Sequence, residues 1–145
     1  MNLNNNVGYL LHHLSTLLAR NSDQVLQEQL GIGFSQFKIL LILEETNGVQ
    51  QKYIAQKLGQ TEASISRQIK SLSDIGMITS QVSPNNRREH ITRLTPKGTK
   101  VTERSMNILN NFHAPVFSEL SESQQMQLQE LLGTIHDSMC SNEHS

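Results

Sequence analysis

The residues equipped for chemistry in this 145-residue chain are concentrated in one basic stretch. Residues 52–98 hold Lys52, Lys57, Arg67, Lys70, Arg87, Arg88, Arg93 and Lys97 against Glu62, Asp74 and Glu89, a net +5. The rest of the chain has four basic and ten acidic residues, a net −6, so the overall −1 conceals a split. A basic segment within an acidic chain suits phosphate contact, because only that segment has to face a polyanion. Two arrangements inside it are more specific. Arg67 follows the small residues Ala63, Ser64 and Ser66 near the start of a helix. A guanidinium there can hold guanine O6 and N7 as a bidentate pair when the helix enters the major groove. Arg87 and Arg88 follow the turn-forming run Ser83-Pro84-Asn85-Asn86. Two guanidinium groups at the tip of a ribbon can reach phosphates or a narrow, electronegative minor groove.

Other chemistries find little support. The chain has no glycine-rich phosphate loop and no G-x-S-x-G, and its only adjacent carboxylates, Glu44 and Glu45, diverge on a helix, so no enzyme activity is expected. His12 and His13 project about 100° apart and cannot share a metal. His90 lies in the ribbon, and His113 has no ligand residue three or four positions away. His136, Cys140 and His144 are spaced by four, but the tail Ser-Asn-Glu-His-Ser reads as frayed, so no metal and no cofactor are expected. Cys140, the single cysteine, lies apart from the basic cluster that would activate it and reads as an inert thiol. One cysteine allows no internal disulfide, which fits a reducing compartment. The amino terminus lacks a secretion signal, and no apolar run approaches the roughly 20 residues that span a bilayer. The expectation is a cytoplasmic protein with no membrane partner.

The elements that must position the basic residues can be read from periodicity. Val7, Leu10, Leu11, Leu14, Leu17 and Leu18 make one apolar stripe on a first helix. After Gly31 and Gly33, Ser35 is expected to cap a second helix through Phe37, Leu40, Leu41 and Leu43. Asn47-Gly48 signals a turn, and a third helix runs from about Gln50 to Leu58, where Gly59 stops it. Thr61 caps a fourth helix with Ile65, Ile69 and Leu72 on one face, and Gly76 closes it. Two extended segments, Met77–Val82 and Glu89–Leu94, form a hairpin. Thr95-Pro96 restarts a long helix carrying Val101, Met106, Leu109 and Phe112, and Ser121 begins a last one. Within this order, Ala55, Gly59 and Ile65 meet three needs of a helix-turn-helix. They supply a small residue at the helix crossing, a turn residue tolerant of positive φ and a branched apolar residue on the second helix.

The segments LGQTEASISRQIKSLSDIGMI (Leu58–Ile78) and NRREHITRLTPKG (Asn86–Gly98) resemble the MarR family of bacterial transcription regulators. That family's wing reads D-x-R, five residues, then L-T-x-x-G; Arg88, Leu94, Thr95 and Gly98 match, and Asn86 stands where an aspartate is usual. In the family the aspartate fixes the wing arginine through an ion pair, whereas Asn86 offers a hydrogen bond without charge. The resemblance implies a mainly α fold with a small β-hairpin wing: a winged helix-turn-helix with N- and C-terminal dimerisation helices. The single domain 1–145 divides into a DNA-binding lobe at about 34–98 and a dimerisation region at about 1–30 and 99–145. The terminal apolar stripes support the dimer independently, since a small winged-helix core cannot bury them.

The implied function is a sequence-specific DNA-binding transcription regulator. It would be a homodimeric repressor on a palindromic operator, released by a small amphipathic or phenolic ligand whose binding residues no motif assigns. The alternative is an architectural or protein-interaction winged-helix protein with no small-molecule sensor role. The expected DNA-contacting set is Thr61, Glu62, Ala63, Ser64, Ser66, Arg67, Lys70, Arg87 and Arg88.

Overall fold

The computed structural model describes residues 2–142 and, within them, every side chain except that of Arg87. His144 lies outside the described residues. The chain forms two compact units, one ending at Leu109 and the other beginning at Asn110. In the first, a short 3-10 turn (Leu3–Asn5) leads into α1 (Val7–Leu30) and α2 (Phe34–Glu45), followed by β1 (Val49–Gln50), α3 (Gln51–Leu58) and α4 (Glu62–Asp74). Strands β2 (Ile78–Ser83) and β3 (Asn86–Leu94) then lead into α5 (Pro96–Phe117). The second unit contains the end of α5 and α6 (Glu122–Asn142).

Local chemistry explains most of the helix limits. Gly31, at φ 69°, ends α1 with its N–H on the Gln27 carbonyl. Helix α2 starts two residues earlier than Ser35 capping would require. Gly33 takes the cap position, and its N–H donates to Gln36 Oε1 at 3.0 Å. The Phe34 N–H donates to Asp23 Oδ1 of α1 at 2.9 Å. The capping role expected of Ser35 therefore passes to the Asp23 carboxylate, eleven residues before Phe34, and Ser35 lies inside the first turn. Both helices of the helix-turn-helix close with the Schellman pattern of paired bonds, which requires a left-handed residue. After α3, Gln60 N–H bonds Ala55 O and Gly59 N–H bonds Gln56 O, with Gly59 at φ 62°. After α4, Met77 N–H bonds Leu72 O and Gly76 N–H bonds Ser73 O, with Gly76 at φ 77°.

The core of the first unit lies around α2, whose Phe37, Ile39, Leu40 and Leu43 are all buried. Leu26 of α1, Ile54 of α3, Ile65 and Leu72 of α4, and Ile78 of β2 close around it with no exposed surface to speak of. The sheet has three strands in the order β1-β3-β2, all antiparallel. The sequence indicated only the hairpin. Strand β1 is two residues long, and it exists because Val49 and Gln50 pair with Thr92 and Ile91. That is a tertiary cause, which no local propensity reveals.

The base of the hairpin is tied to α4 and α5 at one point. Thr95 caps α5 by accepting from the Gly98 N–H at 3.1 Å, and its hydroxyl donates to the Gly76 carbonyl at 2.6 Å. Its own N–H bonds the Met77 carbonyl at 3.1 Å. Lys97 Nζ donates to the Ile75 carbonyl at 2.6 Å, filling an acceptor left over at the end of α4. Gly98 is buried here, and a Cβ on it would fall on the Met77 carbonyl oxygen, far inside contact distance.

In the second unit, Ser121 and Gln124 form a reciprocal capping box at the start of α6, with bonds of 3.2 and 2.9 Å. None of the residues of α6 is buried: Met126, Leu131 and Met139 remain 71%, 63% and 68% exposed. The amino-terminal half of α1 is similar, with Val7, Leu11 and Leu14 exposed.

Gly98→Ala should lower stability by about 3 kcal/mol, because the new methyl meets backbone rather than a yielding side chain. Gly76→Ala, whose methyl would meet only the Lys97 side chain at ordinary contact distance but at a left-handed φ, should cost about 1 kcal/mol. Urea unfolding at a fixed protein concentration measures both, and equal midpoints for the two variants would contradict the steric account.

Candidate nucleic-acid interface

The helix-turn-helix assembles as the residue spacing requires. Ala55 is 4% exposed and Ile65 fully buried, so the small residue of α3 and the branched residue of α4 both face the common core. Thr61 begins α4 by accepting the Ser64 N–H at 3.1 Å. The thirteen residues of α4 then show three distinct faces. Ile65, Ile69 and Leu72 enter the core. Glu62, Ala63, Ser66, Arg67 and Lys70 are exposed.

The third face is a polar seam. The Ser64 hydroxyl donates to Gln60 Oε1 at 3.2 Å, and Gln68 Nε2 donates to the same oxygen at 2.9 Å. Gln60 Nε2 reaches Ser35 Oγ on α2 at 3.2 Å, and Gln36 Nε2 of α2 reaches Ser71 Oγ at 3.3 Å. Ser64 is half-buried, and its hydroxyl is committed to this seam rather than turned outward with Ser66. The sequence could not separate Ser64 from Ser66, because the difference lies in what packs beside each.

Strands β2 and β3 pair regularly from Ile78 opposite Leu94 to Val82 opposite His90, and then the register shifts so that Ser83 faces Asn86. Arg87, Arg88 and Glu89 are thus left without opposite numbers on β2, and they form a bulged tip. Asn86 Oδ1 accepts the backbone N–H of Arg88 at 3.0 Å. Asn86 therefore orders the tip through the main chain, where an aspartate would act on the guanidinium by charge. Among the described residues no lysine or arginine takes part in an ion pair. The described cations of this stretch are therefore not neutralised by a described carboxylate.

Between α4 and the wing lies a cleft of about 570 Å³. Glu62, Ala63 and Ser66 line one wall and Asn86, Arg88, Glu89 and His90 the other, with Gln50, Gln51 and Lys52 at the floor. Of the residues expected from sequence, the cleft gathers Glu62, Ala63, Ser66 and Arg88. Arg67 and Lys70 are exposed on α4 outside it, and Thr61 is exposed at the helix start. Lys52 and His90 join the site without having been singled out. Lys52 arrives because β1 pairs with β3 and swings the start of α3 toward the wing.

Residues 34–90 match the model of the MarR family. The chain is 23% identical over 126 residues to the HTH-type transcriptional repressor Rv2887 of Mycobacterium tuberculosis, covering 87% of this chain and 90% of that one. Its fold is that of a MarR transcriptional regulator from Methanosarcina mazei Go1, with a TM-score of 0.83 at 23% identity over 93% of this chain and 96% of the other. It is also similar to the transcriptional repressor CouR. The structure of CouR bound to a 23-mer DNA duplex gives a TM-score of 0.79 at 25% identity, covering 92% and 94% of the two chains. The structure of CouR from Rhodococcus jostii RHA1 bound to p-coumaroyl-CoA gives 0.75 at 19% identity, covering 92% and 93%.

Thr61→Ala removes the side-chain acceptor at the start of α4 and should cost about 1 kcal/mol, while Thr61→Ser should restore most of it. Denaturant midpoints of the three proteins check this, and an unchanged midpoint for the alanine variant would show that water replaces the cap.

Proposed function

We propose that this chain, a member of the MarR family, is a homodimeric repressor that binds a palindromic operator in double-stranded DNA and is released by a small ligand. The observation that carries the reading is the cleft between α4 and the wing, where an exposed helix face of small residues stands beside an unpaired arginine. Such a helix lies in the major groove, its first turn near base edges, while the wing follows the adjacent backbone or minor groove. CouR, of like fold, has been captured on a DNA duplex and with an acyl-CoA ligand, which supports both halves of the proposal.

The roles divide by chemistry. Arg67 reads guanine through its two-pronged donor set, with Ser66, Ala63 and Glu62 meeting neighbouring base edges. Thr61 and Lys70 contact phosphates, and Arg87 and Arg88 anchor the wing. Ser64 acts at one remove, by fixing Gln60 and Gln68. The lobe of about 34–98 is the reader, and the helices of about 1–30 and 99–145 dimerise through the exposed apolar faces of α1 and α6. An exposed apolar area of that extent is costly in water and is relieved by a second copy. Two-fold symmetry then presents two recognition helices about one DNA turn (~34 Å) apart. The protein acts by binding rather than catalysis, and it does so in the cytoplasm; no described helix is long and apolar enough to cross a membrane.

Footprinting tests the reading against an architectural role. Protection of an inverted repeat supports an operator reader, and uniform, salt-sensitive coverage overturns it. Arg67→Ala should weaken operator binding by about 1–3 kcal/mol while leaving random DNA nearly unaffected. Arg88→Ala should weaken both equally and flatten the salt dependence by about one phosphate. Gel-shift titrations at several salt concentrations distinguish the two patterns.

A further inference from the structure

Three helices meet at the start of α2. Gly33 is buried there, and a Cβ on it would stand 3.1 Å from Asp23 Oδ1 and 3.3 Å from Gln27 Nε2 of α1, inside ordinary contact distance. Glycine at the cap position has no side-chain acceptor to offer the first N–H groups of α2. Asp23 supplies one from outside the helix, 2.9 Å from the Phe34 N–H. The aligned peptide dipoles of α2 favour a carboxylate at that end as well. The two ends of the Gln36 amide then divide their tasks. Its Oε1 accepts the Gly33 N–H at 3.0 Å, which turns Nε2 toward α4, where it donates to Ser71 Oγ at 3.3 Å. A path thus runs from α1 to the recognition helix through Asp23, the first turn of α2, Gln36 and Ser71. A cap with its own side chain would start α2 without reference to any other helix. Capping from α1 ties the start of α2 to the placement of that helix.

We propose that Asp23 and Gln36 are positioning residues for operator binding, which hold α4 at a fixed angle to α1 and so set the half-site spacing that the protein accepts. The inference rests on the two-fold operator reader proposed above and deepens it. In that dimer α1 belongs to the frame shared by both copies, and α4 to the part that meets the bases. Symmetry repeats any displacement of α4 against α1 in the second copy, so the distance between the recognition helices changes by twice as much. One base pair of spacer corresponds to about 3.4 Å along the duplex, so play of about 1.7 Å at each α4 is enough to erase a preference for one spacing. Neither Asp23 nor Gln36 has to reach the duplex for this. They act through Phe34 and Ser71, on the placement of α4.

Anisotropy titrations of the full-length protein test this on three duplexes: the footprinted operator, the same operator with one base pair added to its spacer, and a single half-site. The wild-type protein should favour the native spacing by about tenfold, comparable to the cost of one mismatched base pair. Asp23→Ala should reduce that preference to about twofold while half-site affinity stays within about twofold of wild type. Asp23→Asn keeps an acceptor oxygen and should retain the wild-type preference. Ser71→Ala leaves the start of α2 capped and removes only the bond from Gln36. It should lose the preference as Asp23→Ala does, and the double variant should lose no more than either alone. Ser71 is exposed, so its variant tests the path even where Asp23→Ala unfolds. An unchanged spacing preference in Ser71→Ala overturns the proposal, as do additive losses in the double variant. Equal weakening of half-site and operator overturns it too, because a merely structural loss moves both together. Failure of the regulator reading shows separately, as absence of a protected inverted repeat with the wild-type protein.

Discussion

The winged helix-turn-helix depends on one close backbone approach, that of Gly98 at the start of α5 to the Met77 carbonyl. No side chain fits between them. Around this contact three pieces of chain are fastened by bonds that use every nearby leftover group. Thr95 bonds Gly76 and Met77 while capping α5, and Lys97 takes the Ile75 carbonyl. The end of the recognition helix, the base of the wing and the start of α5 are thereby fixed to one another. The angle between α4 and the hairpin follows from that junction. The contacts at the tip inherit their position from it, since β2 and β3 only extend the geometry set at their base. A Lys97 engaged this way also contributes less to phosphate attraction than its charge suggests. The basic count of residues 52–98 therefore overstates the charge that faces outward at the tip.

The other end of α4 is held differently, and the difference has consequences. Toward the core it offers Ile65, Ile69 and Leu72, which have tight packing partners and few alternative arrangements. Toward α2 it offers Ser64, Gln68 and Ser71, joined through Gln60, Ser35 and Gln36 by bonds of 2.9–3.3 Å. Hydroxyls and amides rotate and exchange partners at little cost, so a polar seam tolerates a small shift that an apolar one would resist. The recognition helix is thus pinned at its carboxyl end and adjustable along one side, an arrangement that permits a change of tilt without loss of the fold.

Much of this was legible in the sequence because the features are local. The Ala55, Gly59 and Ile65 spacing, the Thr61 cap, the Gly76 stop and the Thr95-Pro96 restart are each set within a few residues, and the structure has them where the spacing puts them. What escaped depends on neighbours distant in sequence. Strand β1 forms only because β3 passes beside it. Ser35 lost its capping role to Asp23, which reaches across from α1. Ser64 and Ser66 are the same residue type two positions apart, and only the presence of Gln60 and Gln68 beside one of them separates their roles. Lys52 enters the cleft through the placement of α3, which periodicity does not encode.

The acidic flanks and the basic middle also answer to one physical requirement. A protein whose whole surface was positive would hold DNA anywhere, since phosphate attraction carries no sequence information. Confining +5 to residues 52–98 and giving the remainder −6 favours the approach of DNA to that stretch over the rest of the chain before any base is read. The apolar faces of α1 and α6 complete that logic. They expose Val7, Leu11, Leu14, Met126, Leu131 and Met139 and carry a single lysine or arginine, Arg20, which suits them to the proposed contact with another copy rather than to the duplex. Because no residue of α6 is fully buried within its own chain, the proposed dimer would tie the stability of that helix to association and so to protein concentration. In the proposed dimer, DNA affinity would be linked to the same association equilibrium, since the geometry that spaces two recognition helices would be the one that buries those faces.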